Sequence, residues 1–190
     1  MLKLKVDEVI ELDFYTEKNA EEVFQVVLEN YDHLYQYSPW LDKGYSLKRV
    51  KDFAKICAKQ FKEKISIPLC IKFKGEIVGG TGFNNFNWEY KTAEIGYWLA
   101  KKHNGKGIVT KSVQRQLDYA FDELKLNRIV LKCVPTNLKS RKIAESLGFT
   151  NEGIEREGGF HHGEFVDFVI YSMLKKEWVK KESGKWKVKN

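Results

Sequence analysis

The sequence predicts an α+β (mixed αβ) domain in which one mixed sheet carries helices on both faces. Three observations carry this. Short apolar runs bounded by turn residues recur along the chain, amphipathic helical stretches fall in both of its halves, and the order reads βααβββαβαββ. Helices divided in this way need two sheet faces to cover.

Residues 8–14, Glu-Val-Ile-Glu-Leu-Asp-Phe, read as a first strand. Asn19 and Glu22 then have the spacing of a capping box, ahead of a helix carrying Val23, Val26, Val27 and Asn30. Residues 31–44 are irregular and aromatic, with Tyr31, Tyr35, Tyr37, Pro39 and Trp40, and suit the wall of a pocket. A second helix starts near Ser46, with Val50, Phe53, Cys57 and Phe61 on one apolar face. Strands at 67–73 and 77–83 flank the tight turn Lys74-Gly75-Glu76, and a polar connection covers 84–91.

The strand at 92–100 runs into a glycine loop and a long helix over 108–124. A buried-looking strand follows at 128–134, then a short helix over 137–147 stopped by Gly148. Strands at 149–156 and 165–174 flank a turn containing His161, His162 and Gly163. No internal repeat or linker precedes the basic tail, so residues 1–178 read as one domain and 179–190 as a tail.

Composition narrows the classes of function. The chain of 190 residues is 43% hydrophobic, and no apolar run approaches the ~18 residues that cross a membrane. Its start, Met1 to Asp7, lacks the apolar block of a signal peptide, so a cytoplasmic protein is expected. The formal charge is +7, yet seven Lys and two Glu lie between Lys175 and Asn190. That basicity belongs mostly to the tail, so no dedicated nucleic-acid site is expected, only loose attraction to acidic partners. Cys57, Cys70 and Cys133 are far apart and in no metal-binding spacing; they read as small buried hydrophobes. Adjacent histidines at 161 and 162 point to opposite faces of a strand and do not make a metal site, and none is expected.

The sharpest signal is Ala93 to Ala100 followed by Asn104-Gly105-Lys106-Gly107-Ile108-Val109-Thr110, a strand, a glycine turn and a helix start. Glycines let backbone N–H groups converge, and the first turn of a helix carries partial positive charge, so the turn suits a phosphate or pyrophosphate. A Walker loop would need a Lys-Ser/Thr pair, and a Rossmann loop a third glycine and a place after the first strand. Neither pattern is met.

From about Gly75 to Trp178 the sequence resembles the GNAT superfamily of acetyl-CoA-dependent N-acetyltransferases, closest to the Rim-type group that acetylates N-termini of ribosomal proteins. The resemblance rests on Ala93 to Leu99, on Asn104 to Thr110, and on Asn137-Leu138-Lys139-Ser140 continuing to Leu147-Gly148-Phe149. Before Gly75 only the general layout and Ser38-Pro39-Trp40-Leu41 match. It implies a central mixed, mostly antiparallel sheet, with acetyl-CoA as cosubstrate. In such proteins the turn matching Asn104, Gly105, Lys106, Gly107, Ile108, Val109 and Thr110 wraps the pyrophosphate with backbone amides. The strand matching Trp98, Leu99 and Ala100 pairs with the pantetheine arm, and Asn137 and Ser140 lie near the arm's end. The chain departs from the pattern at Asn104, where glutamine or arginine is usual, and at Val109, where glycine or alanine is. It also has Ala144 where many members carry a tyrosine acid, and Gly159 where some Rim-type enzymes carry a glutamate.

The resemblance also proposes the chemistry. Glu94 aligns with the base of some GNAT histone acetyltransferases, a role that requires burial or an apolar surround; the alternative is pairing with a lysine on the sheet surface. Ser140 would protonate or hydrogen-bond the departing thiolate, or else serve in the first turn of a helix, as Asn137 would serve as its cap. From the residues themselves, Glu157 and Asp167 are candidates for binding the acceptor's ammonium group or else exposed strand residues, and Tyr37 and Trp40 either line its pocket or belong to the core. No cysteine lies in a motif block that places it beside the acetyl group, so direct attack in a ternary complex is expected. The acceptor implied by the resemblance is a protein N-terminus of the ribosomal kind. The alternatives are a small amine such as a polyamine or aminoglycoside, and a non-catalytic CoA-binding or RNA-associated module. A homo-oligomer stays open.

Overall fold

Eight strands form one sheet in the order β1-β2-β3-β4-β5-β6-β8-β7 in the computed structural model, which describes residues 2–178. They are β1 (Lys3–Lys5), β2 (Ile10–Phe14), β3 (Ile67–Phe73), β4 (Glu76–Asn87), β5 (Thr92–Leu99), β6 (Arg128–Cys133), β7 (Thr150–His161) and β8 (Glu164–Leu174). The helices are α1 (Ala20–Glu29), α2 (Tyr31–Tyr35), α3 (Leu47–Lys62), α4 (Ile108–Asp118) and α5 (Leu138–Ser146). Every neighbouring pair is antiparallel except β5 with β6. The expected mixed, mostly antiparallel sheet is therefore present. The basic tail at 179–190 lies outside the described residues.

Successive strand residues face opposite sides, so the consecutive buried residues Leu69, Cys70 and Ile71 require cover on both. Thr81, opposite Leu69, accepts a hydrogen bond from Gln116 of α4. Helices α1 and α3 cover the other face, where Tyr15 meets Phe53 with ring centroids 5.4 Å apart. A Cβ on Gly80 would collide with Tyr15 Oη and Trp98 Nε1, so the missing side chain makes room for both aromatic groups.

Local sequence sets most boundaries. Ser46 Oγ accepts from the Arg49 amide and starts α3, whose Val50, Ala54 and Cys57 are buried along one stripe. Phe53, expected on that stripe, is 42% exposed at its margin. The expected capping box does not form. Asn19 instead accepts from the Thr16 amide and donates to the Phe14 carbonyl, while Glu22 reaches across to accept from the Ile77 amide at 2.6 Å. Tertiary partners have taken both side chains.

Other differences have equally local causes. Strand β1 has one buried residue, Leu4, between two exposed lysines, too short an alternation to stand out. The irregular segment contains the single turn of α2, and β4 continues through Asn84 to Asn87 by way of a bulge. After Asp118, α4 widens into a π turn over Tyr119–Glu123, where the Leu124 amide bonds the Tyr119 carbonyl.

Candidate active site

The site exists because β5 and β6 part. Their parallel pairing covers only Thr92, Ala93 and Glu94 against Arg128, Ile129 and Val130. Beyond Glu94, β5 stays with β4 while β6 stays with β8. From Ile95 to Leu99 the outer edge of β5 has no strand partner among the described residues. The gap opens into a cleft of roughly 1480 Å³, walled by β5, β6, the start of α5 and the aromatic segment that leads into α3.

At one end stands the glycine turn. Gly105 and Gly107 take φ of +76° and +70°, and Gly107 caps α4 without a side-chain hydrogen bond. A Cβ at either position would meet nothing within 4 Å, so the backbone there faces open space. Asn104 lines the cleft, and its buried Nδ2 has no hydrogen-bond partner among the described residues. Open helix-start amides, an orphaned amide donor and an unpaired strand edge together suit an elongated ligand with a phosphate end and an amide-bearing arm. Trp98, Leu99, Val109, Asn137 and Ser140 line the same cleft. Ala100 and Ile108 are buried and do not line it, and the Ala100 amide donates to the Val78 carbonyl. Gly105, Lys106, Gly107 and Thr110 complete the turn and the first helical turn without lining the cleft, which Asn104 and Val109 do line.

Midway along lie the candidate reacting groups. Glu94 is partly buried and held by Asn85 Nδ2 at 3.0 Å and by Lys132 Nζ at 3.5 Å, and Lys132 is also 2.9 Å from Glu155. The pairing with lysine on the sheet is thus present, and it occurs inside the cleft. Asn137 Oδ1 accepts from the Ser140 amide at 3.1 Å, so Asn137 is the cap of α5. That leaves the buried Ser140 hydroxyl unneeded for capping. It lies 2.8 Å from the Tyr97 hydroxyl instead. Cys133 is buried as expected, but at the end of β6 it also lines the cleft next to Ser140. Burial pushes its thiol up, away from the reactive thiolate.

The far wall is apolar. Trp40 and Tyr37 line it, with the Trp40 ring 6.2 Å from that of Trp98. Phe53, Ile56, Ile65 and Trp88 continue it, all with substantial exposure. Glu157 and Asp167 do not reach the cleft lining. Asp167 Oδ1 accepts from the Glu157 amide at 2.8 Å and holds a bulge in which Glu157 takes φ +50°. His161 is not in the turn; it ends β7 and lines the cleft, while His162 in the turn stacks on Tyr35 at 3.7 Å. Tyr97 and Lys132 are cleft residues that the sequence alone did not single out. For Tyr97 a partial signal existed, since strand parity puts it on the face opposite Glu94; that this side chain meets α5 is visible only in the structure.

A split sheet that offers an amide-lined groove and a glycine turn, with a carboxylate and hydroxyls at its centre, defines an acyl-transferring enzyme. An acetyltransferase (GNAT) domain model matches residues 10–150. The putative ribosomal N-acetyltransferase YdaF of Bacillus subtilis (strain 168) is 32% identical over 179 residues, 94% of this chain and 98% of that protein. The ribosomal-protein-serine acetyltransferase of Escherichia coli (strain K12) is 27% identical, with 90% of this chain and 96% of that protein covered. Among solved structures, the ribosomal α-N-protein acetyltransferase RimL in complex with coenzyme A is similar at a TM-score of 0.86 and 25% identity, covering 91% and 98% of the two chains. The chain belongs to the GNAT acetyltransferase family, whose cosubstrate is acetyl-CoA. No helix among the described residues is long and apolar enough to cross a membrane.

Proposed function

We propose that this acetyltransferase acts on the α-amine of a protein N-terminus, of the ribosomal kind named for its relatives, in the cytoplasm where such chains are made. The observation that carries this is the far wall of the cleft. Its exposed aromatic and aliphatic side chains suit a peptide, while around the cleft as a whole the carboxylates of Asp52, Glu63 and Glu94 are balanced by Arg49, Lys64 and Lys132. A polycationic amine would require an unbalanced acidic pocket.

The chain's own residues then divide the work. The amides of the turn from Gly105 to the first turn of α4 hold the pyrophosphate, with Asn104 Nδ2 as a further donor. The edge of β5 at Trp98 and Leu99 receives the pantetheine amides. An α-amine with pKa ~7.7–8 is already partly neutral at pH 7, so modest help suffices for its attack on the acetyl carbonyl. Glu94, fixed by Asn85 and Lys132, accepts the proton the nitrogen sheds. Ser140 hydrogen-bonds the sulfur as it departs.

Mass spectrometry after incubation with isotope-labelled acetyl-CoA, ribosomal proteins and small amines tests the acceptor. Label on an N-terminal residue supports the proposal. Label confined to polyamines or aminoglycosides overturns it, and CoA binding without any transfer would leave a binding module.

A further inference from the structure

We propose that Tyr97 is a positioning residue for acetyl transfer: its phenol donates to Ser140 Oγ and thereby aims the Ser140 hydroxyl hydrogen at the sulfur that departs as the new amide forms. The proposal rests on the acetyl-transfer reading of the cleft and adds a residue that acts only through Ser140.

The geometry begins with the parting of β5 and β6. Glu94, Gly96 and Trp98 lie on one face of β5, and Tyr97 lies on the other. Because no strand fills the gap beside it, the Tyr97 side chain crosses to the first turn of α5. Its hydroxyl stands 2.8 Å from Ser140 Oγ and 3.3 Å from the Ser140 carbonyl. Ser140 is therefore held twice, its amide by Asn137 Oδ1 and its hydroxyl by Tyr97. Both side chains line the cleft, and Cys133 Sγ lies beside Ser140 in the same wall.

Two hydroxyls at this distance have two arrangements. In one, Ser140 donates to Tyr97 while Tyr97 donates to the Ser140 carbonyl. In the other, Tyr97 donates to Ser140 Oγ and the Ser140 hydrogen is turned away from Tyr97, toward the wall that holds Cys133 Sγ or toward a ligand's sulfur in the cleft. A sulfur gaining negative charge selects the second, because each donation in the chain from Tyr97 to Ser140 to sulfur strengthens the next. Charge-assisted bonds of this kind are about twice as strong as neutral ones.

Tyr97 keeps its own proton throughout. Burial pushes its phenol well above the ordinary tyrosine range, whereas a thiol ordinarily titrates near ~8.5. A thiolate is too weak a base to deprotonate it. The step balances without that transfer: the C–N bond forms, the C–S bond breaks, and its electron pair leaves on sulfur. The nitrogen gives one proton to Glu94, the sulfur later takes one from solvent, and Ser140 and Tyr97 end as they began.

The test titrates the thiol of bound CoA by the ultraviolet absorbance of the thiolate, as a difference from protein alone. In the wild-type protein the midpoint should lie below that of free CoA. Tyr97→Phe and Ser140→Ala should each raise it by about one pH unit, in line with the loss of one charge-assisted bond. With acetyl-CoA and an accepted amine, Tyr97→Phe should lower kcat about tenfold with KM for acetyl-CoA within about twofold, and should cost nothing further in a Ser140→Ala background. Equal midpoints in wild type and Tyr97→Phe, or losses that multiply in the double variant, overturn the proposal. If Tyr97→Phe does not fold, the Ser140→Ala midpoint decides: no rise removes the hydroxyl pair from the reaction. CoA titration needs no acceptor, so its outcome is separate from the identity of the amine. A wild-type chain that binds no CoA overturns the acetyl-transfer reading and the role of Tyr97 with it.

Discussion

Lys132 reaches from β6 to Glu94 on β5 at the point where the two strands part, its Nζ 3.5 Å from Glu94 Oε1. The pair sits inside the cleft, so the carboxylate is fixed in place while staying open to a substrate amine. Glu94→Gln keeps the shape and the Asn85 contact site but removes the proton acceptor. It should lower kcat/KM for the acceptor about 100-fold, within the usual range for general-base groups, and leave CoA affinity unchanged. Steady-state kinetics against calorimetric CoA binding checks this; full activity would assign Glu94 to the sheet alone.

Much of this site was legible beforehand because its signals are local. A glycine turn needing positive φ at Gly105 and Gly107, a capping Asn137 and an apolar strand each follow from a few neighbouring residues. What stayed hidden depends on distant partners. Glu22 looks like a capping residue until β4 brings the Ile77 amide to it, and Cys133 looks remote from the chemistry until β6 ends beside Ser140. Asp167 suggested a substrate ligand because nothing in the sequence shows the bulge it holds.

Gly107→Val tests the phosphate end. Valine is β-branched and would sit at φ +70°, strained by about 1–2 kcal/mol, with its side chain in the open space before the amides of α4. CoA affinity should fall at least tenfold by calorimetry. An unchanged affinity would show that the turn does not hold the cosubstrate.

Trp88 offers a test of the acceptor wall. Its ring stacks on Phe86 at 4.8 Å and its Nε1 donates to the Lys64 carbonyl, so it is held rigidly at the cleft's edge. An aromatic contact is worth about 0.5–1.5 kcal/mol, so Trp88→Ala should raise KM for a peptide acceptor roughly 2–12-fold without changing KM for acetyl-CoA. A rise in the acetyl-CoA value alone would reverse the polarity assigned to the cleft.

Acid stability follows from an ion pair away from the chemistry. Arg128 makes a two-pronged contact with Glu152, and Ser172 donates to the same carboxylate, so its pKa falls from the ordinary value of 4.5 to about 2. A depressed folded-state pKa contributes stability that is complete above the unfolded value and disappears as pH drops through the folded one. Wild type should therefore exceed Glu152→Gln in stability by a constant margin above about pH 5, and the margin should close between pH 4.5 and about 2. Both side chains are about one-third exposed, so solvent screening limits the margin to about 1 kcal/mol, or ~2–4 °C in Tm. Thermal melts of the two proteins across that range check it, and 1 M salt should shrink the difference at neutral pH. A margin that persists unchanged at pH 2.5 would mean that packing against β8, not the charge on Glu152, is what the glutamine variant loses.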